Sequence, residues 1–296
     1  MKRFRHWTTG ITVLLTGILF PLRSQLTVPQ LKAYQVIPRT SPDKADYGLS
    51  GTCKAGVSRI LLSVINQRNG APIGTFQRRD IGASVSGASW NASVKELPVG
   101  GEYAFIFYST DAQNTAADSV LVQHLLVGDI WLCAGQSNML QKTPPNPDPD
   151  HVHVRMLFKG NGPMTGTVPD TGKWTNDMAT GPATTFGGEL YSTTGIPVGI
   201  ILGASGNTSI SDWFAPPQRP IFTILKNLVT PVCDFSISGF LWYQGENEDQ
   251  QDTWALRYFT KSIPLRDTVR ALAKNPHLPV LAVQLESWDG GGDSAS

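Results

Sequence analysis

The chain of 296 residues is poor in charge: Asp, Glu, Lys and Arg make up 16%, and Lys+Arg 24 against Asp+Glu 23 leaves a net charge of +1. A surface so balanced offers no field that would gather nucleic acid or an anionic membrane. Cysteine is scarce too. Cys53, Cys133 and Cys233 lie far apart and form no C-x-x-C pair, which argues against a structural zinc site. No H-E-x-x-H or comparable ligand set occurs, so neither a metal nor a cofactor is expected. Repeats and low-complexity tracts are lacking, and with 41% hydrophobic residues the composition is not that of a disordered chain. What is plentiful is glycine, 29, and proline, 21, which implies many turns and short strands.

The start of the chain reads as an export signal. Lys2, Arg3 and Arg5 precede an apolar run from Ile11 to Leu22, the length of a signal core and shorter than the roughly 20 residues of a membrane span. A signal peptide over residues 1–25 is therefore expected, with the mature protein secreted or periplasmic and no further membrane contact. An odd number of cysteines in an oxidising compartment leaves at least one thiol free.

Two patterns follow. From 26 to 126 short strands are expected at Ile60–Ile65, Trp90–Leu97, Tyr103–Tyr108 and Leu121–Leu125, separated by Asn69-Gly70, Ser86-Gly87 and Gly100-Gly101; this spacing suits a β-sandwich domain. From 127 to 296 apolar strands at Val127–Cys133, Val154–Phe158, Val198–Leu202, Gly239–Tyr243 and Val280–Val283 alternate with helical segments at Thr184–Thr193, Pro220–Leu228 and Thr253–Ala273. Such alternation predicts a parallel sheet covered on both faces, with its site beyond the carboxyl ends of the strands.

Three strand ends carry candidate chemistry. The first runs into Gly135-Gln136-Ser137-Asn138-Met139. A Ser on a sharp turn after a strand can act as a nucleophile, although Met139 stands where the elbow G-x-S-x-G has its second Gly, and a helix cap is the plainer reading of Ser137 alone. The third strand leads into Gly203-Ala204-Ser205-Gly206-Asn207-Thr208, with Trp213 shortly after, and the fourth into Gln244-Gly245-Glu246-Asn247-Glu248 behind Trp242 and Tyr243. Aromatic residues followed by amide and acid groups suit a carbohydrate site; a packed strand with a solvated acidic loop is the plainer alternative.

Together these segments resemble the sialate O-acetylesterase-like and acetylxylan esterase branch of the SGNH hydrolases. V-G-D-I-W-L-C-A-G-Q-S-N-M at 127–139 and G-F-L-W-Y-Q-G-E-N at 239–247 carry the resemblance, supported by P-V-G-I-I-L-G-A-S-G-N-T at 197–208 and L-P-V-L-A-V-Q-L at 278–285. It implies an α/β fold, a flavodoxin-like three-layer domain with a five-stranded parallel sheet behind an all-β sandwich. It also implies a carbohydrate O-acetylesterase that removes acetyl groups from sugars by serine chemistry. Ser137 would be the nucleophile. Its own N–H, the N–H of Gly206 and the amide of Gln244 would form the oxyanion hole, and Gln136, Asn138, Trp213 and Glu246 would touch the acetylated carbohydrate. Where the family has G-G-T or G-G-S, this chain has Gly206-Asn207-Thr208; Asn accepts a left-handed backbone better than most residues, so the turn is expected to survive.

A serine esterase needs a base, and the family supplies it from a D-x-x-H block near its carboxyl end. The one D-x-x-H here, Asp150 to His153, follows the first strand behind a proline-rich run and adjoins the amino end of the second; it is expected to be a bystander. His124 sits in a sandwich strand and His277 before the last strand. The sequence is read as stopping short of the family's Asp and His. A binding homologue that keeps the cleft without the base is the alternative reading.

Overall fold

A computed structural model of the chain describes residues 25–140, 153–158, 173–175, 181–213, 236–248 and 254–285. The expected signal (all but Gln25), Asp150, His151, the helical segment at 220–228 and Cys233 fall outside them. The strands are β1 (Val36–Pro38), β2 (Lys44–Thr52), β3 (Arg59–Asn66), β4 (Arg79–Asp80), β5 (Ser84–Ser86), β6 (Ser89–Pro98), β7 (Gly100–Thr110), β8 (Ala116–Gly135), β9 (Val154–Phe158), β10 (Lys173–Thr175), β11 (Val198–Leu202), β12 (Gly239–Tyr243) and β13 (Val280–Ala282). The helices are α1 (Pro182–Thr194), α2 (Ile210–Trp213) and α3 (Trp254–Leu272), with a 3-10 turn at Ser137–Leu140.

β8 organises the molecule. Its first half pairs antiparallel with β7, which pairs in turn with β3; its second half lies between β11 and β12, parallel to both. The sequence pattern splits this stretch into Leu121–Leu125 and Val127–Cys133. The structure instead makes one strand of Ala116–Gly135, because no proline or turn pair separates the two apolar runs. The strand thus passes unbroken through Leu126 and Val127, where the sequence reading places the join between its two regions. A three-stranded sheet, β2-β6-β5, faces the β3-β7-β8 part of the large sheet. Between them lies a core that includes Tyr47, Ile60, Leu62, Trp90, Phe105 and Phe107.

Among the described residues, β9, β11, β8, β12 and β13 run parallel in that spatial order, with β10 antiparallel on the outer edge of β9. Counted along the chain, the order is 2-3-1-4-5, whereas the flavodoxin-like expectation carries 2-1-3-4-5. β11, buried at all five positions of VGIIL, takes the inner place, and β9 lies beyond it. Side chains alternate with the period of two that a strand imposes. Ile130, Leu132 and Ala134 of β8 pack on one face with Phe240, Trp242 and the α3 residues Leu265 and Val269. Cys133 packs on the other with Val154, Ile200, Leu202 and Ala183 of α1. A helix on each face gives three layers, as the backbone of a parallel sheet requires to stay out of water. Cys53 and Cys133 are buried free thiols, and burial pushes both upward in pKa.

Candidate active site

β11 and β9 lie on one side of β8, and β12 and β13 on the other, so the carboxyl ends of β8 and β12 form the switch point at which α/β sheets bind ligands. Gly135 closes β8 there. A Cβ on it would stand 1.8 Å from the Tyr243 carbonyl oxygen, and its φ of +142° suits only glycine. This close approach lets the Gln136 N–H donate to the Tyr243 carbonyl at 3.0 Å and turns the chain at once into the 3-10 turn. Ser137, the first residue of that turn, is exposed, with Gln136 buried beneath it.

The loop after β11 comes in from the other side. Ser205 N–H donates to the Gly135 carbonyl at 2.8 Å, and Gly203 N–H to the Cys133 carbonyl at 2.9 Å. Gly206 is thereby set against the nucleophile candidate: a Cβ there would stand 3.8 Å from the Ser137 Cβ. Asn207 takes the left-handed conformation that the sequence suggested, with φ of 56°. The loop is braced by Thr208 Oγ1, which donates to the Ser205 carbonyl at 2.8 Å and accepts from Trp213 Nε1 at 2.8 Å. Ser209 then starts α2, its N–H and hydroxyl both donating to Asp212 Oδ2, an N-terminal cap of the Ser-x-x-acid kind.

The expected site residues fall into two layers. Ser137, Asn138, Gly206 and Glu246 are open to solvent to some degree, and Asn138 Nδ2 donates to Glu246 Oε1. Trp213 is only 1% exposed and packs edge-on to Trp242 at 5.3 Å between ring centroids. Gln136 and Trp213, expected at the substrate surface, are thus buried parts of its support.

Gln244 is also buried, 2% exposed. Its Nε2 faces Glu248 Oε1 at 2.8 Å, the Thr208 carbonyl at 2.9 Å and Gln136 Oε1 at 3.2 Å. These acceptors lie within the protein and outnumber the two hydrogens of an amide. The resemblance makes this group an oxyanion donor; here its hydrogens already have partners. Its main chain is held as well: Tyr258 OH donates to the Gln244 carbonyl at 2.7 Å and accepts from Trp242 Nε1 at 2.8 Å. Burial pushes the Tyr258 phenol up to about 12, so it stays a donor. Glu248 and Tyr258 were not among the expected site residues. An acid four positions after Gln244 was the visible signal for Glu248, but the bond that gives it a role runs from Ile210 N–H to its Oε1 at 2.5 Å, across 38 positions of sequence.

The described histidines lie away from Ser137. Val154 and Asp129 both pair with Val198. His153, one residue before Val154, is therefore at the amino end of the sheet, roughly 20 Å below Gly135 at ~3.3 Å per residue. It stacks on Tyr191 at 4.6 Å and lies 3.4 Å from Arg68. His124 Nδ1 pairs with Glu102 at 2.7 Å. His277 precedes β13, its N–H bonded to Asn275 Oδ1. Among the described residues no group of three or more His, Cys, Asp or Glu could hold a metal ion.

The family model for carbohydrate esterase, sialic acid-specific acetylesterase, matches residues 127–295. The sialate O-acetylesterases of Homo sapiens and Pongo abelii are each 23% identical over 225 residues, 60% of this chain. The chain spans 42% of the length of these curated relatives. A carbohydrate acetylesterase from Xanthomonas citri shares the fold with a TM-score of 0.59 at 22% identity, over 90% of this chain and 62% of that one.

Proposed function

Because the chain belongs to the sialic acid-specific acetylesterase family of carbohydrate esterases, we propose that it is a carbohydrate O-acetylesterase working through Ser137. The observation that carries this is the exposed Ser137 at the end of the central strand, with Gly206 directly beside it. The Ser137 oxygen attacks the acetyl carbonyl, its proton passing to a base. The N–H groups of Ser137 and Gly206 would receive the developing oxyanion, and each such donor is worth about 2.7–4 kcal/mol in the transition state. The sugar hydroxyl leaves with a proton, and water then releases acetate and restores the serine. The resemblance assigns that base to a carboxyl-terminal Asp-x-x-His, and none of the described histidines, His124, His153 and His277, stands beside Ser137. Asn138 and Glu246, bonded to one another at the rim, would meet the sugar. Sialate, xylan and other acetylated sugars are all substrates of the proposed class.

Residues 26–126 are proposed as a β-sandwich domain that carries the esterase domain of 127–296. Lys2, Arg3, Arg5 and the run Ile11–Leu22 support export. Ser137→Ala tests the central assignment. Acetyl release from an aryl acetate and from acetylated sugars should fall by several powers of ten, with unchanged unfolding. A variant as active as the parent overturns the serine mechanism.

A further inference from the structure

We infer that the exported chain is cut between Ser24 and Gln25, and that Asp118 of β8 receives the amino terminus so made. This rests on the export reading above and is independent of the esterase reading. Sequence and structure bound the position from opposite sides. A leader is cut beyond its apolar run, after a small residue. Between Leu22, where the run ends, and Leu26 stand Arg23, Ser24 and Gln25, of which Ser24 alone is small. From Gln25 onward the chain belongs to the strands that follow. Leu26 is 1% exposed and Val28 6%, both in the core with Trp90 and Phe107. The Gln25 carbonyl accepts from Thr52 Oγ1 at 3.0 Å, and Thr27 N–H donates to the Thr52 carbonyl at 3.0 Å. A cut after Thr27, the next residue with a short side chain, would discard a buried leucine and these bonds.

The half-buried Asp118 carboxylate stands at this point: its Oδ2 accepts from Gln25 N at 2.6 Å and from Leu26 N at 3.1 Å. Before the cut Gln25 N is a neutral amide. Afterwards it is an ammonium, and the same contact becomes a charge-assisted pair. The pair has a chemical consequence. A free amino-terminal Gln closes on itself: the lone pair of the α-amine attacks Cδ of the side-chain amide, the lactam C–N bond forms, and the amide nitrogen leaves with the amine proton as ammonia. An ammonium has no lone pair for this attack, and a carboxylate beside it favours the charged form. Asp118 therefore keeps the terminus open.

The experiment expresses the chain from Met1 in a Gram-negative bacterial host and in a yeast, and reads the intact mass and amino-terminal sequence of the exported protein. It should begin at Gln25, one residue before the boundary drawn from the sequence. A mature chain that starts at any other residue overturns the inference and leaves export standing. A protein that keeps residues 1–24 in both hosts overturns the export reading, and this inference with it. The parent and Asp118→Asn, which retains an accepting oxygen and loses the charge, are then held at neutral pH while loss of ammonia is followed by mass. Asp118→Asn should cyclise about two- to fivefold faster, the factor that an exposed ion pair supplies. Equal rates overturn the role of Asp118.

Discussion

A β-carbon placed on Gly206 would stand 3.8 Å from the Ser137 Cβ, and among the described residues no other atom beyond its own chain neighbours would lie within 4 Å. Among the described residues the space beside Ser137 is therefore open, and Gly206 is not in the left-handed region that would demand glycine. Gly206→Ala should fold as the parent does, within about 0.5 kcal/mol. Its methyl group would occupy the ground a substrate acetyl must take, so turnover should fall on the order of 10²-fold. Unfolding in urea and acetyl release, measured together, check this; a variant both stable and fully active would place the acetyl group elsewhere.

Gly135 gives the opposite case two residues upstream of Ser137. Its φ is +142°, and a Cβ would lie 1.8 Å from the Tyr243 oxygen and 2.5 Å from the Tyr243 carbonyl carbon. Neither backbone can yield, since both belong to paired strands. Gly135→Ala should cost about 3–5 kcal/mol, the large end of single-substitution effects. Chemical denaturation reads it directly, and a loss under about 1 kcal/mol would mean that β8 and β12 separate more easily than their register implies.

Much of this was legible in the chain. Val154–Phe158, Val198–Leu202 and Gly239–Tyr243 appear as strands at the expected residues, because short, largely apolar runs of five residues are too short for a packed helix and suit a buried strand. The juxtaposition of the three strand ends was also visible, through the alternation that makes a parallel sheet. What was not visible depends on partners far apart in sequence. β2 pairs with β6 across some forty residues, and its KADYGLSGT has no strong apolar signal of its own. The burial of Trp213 and Gln244 followed from α2 folding under β12, which no local pattern records. The Gln244–Glu248 spacing was on the page, but its meaning required Ile210 and Thr208.

The interior of the junction between β7, β8 and β9 should make stability depend on pH. Burial lowers the pKa of His153, and the nearby cations Arg68 and Arg155 lower it further, against weaker opposition from Glu102 and the Gly101 backbone. The folded protein thus binds this proton less readily than the unfolded chain. As pH falls through the unfolded value of about 6.5 towards the folded one, the unfolded chain takes up the proton first, and stability declines. Urea midpoints at about pH 7.5 and about pH 5.5 should fall further for the parent than for His153→Gln. Equal declines would show that other groups set the acid sensitivity.

Arg155 is the most deeply placed charge in that junction, 1% exposed on β9, and Glu102 of β7 answers it with an Nη2–Oε1 distance of 3.0 Å. The same Glu102 oxygen meets His124 Nδ1 at 2.7 Å, so one carboxylate joins β7, β8 and β9. Removing it would take this counter-charge from a buried guanidinium in a low-dielectric setting, where a broken pair costs about 3–5 kcal/mol. Glu102→Ala should show a loss of this size. Glu102→Gln keeps an oxygen that can accept one bond from Arg155 and should lose less, about 1.5–3 kcal/mol. Replacing both partners, as in Glu102→Gln with Arg155→Met, removes the buried cation together with its counter-charge and should recover much of the loss, since buried pairs exchanged for apolar packing are often neutral or better. The pair sits at the amino end of the parallel sheet, away from Ser137, so turnover by the folded fraction should hold in all of these variants. Urea unfolding supplies the stability order and acetyl release at low temperature the activity. If the double variant were less stable than Glu102→Ala, the pair would be a net source of stability rather than a mutual neutralisation, and the junction would depend on its charges instead of on the apolar strands around them.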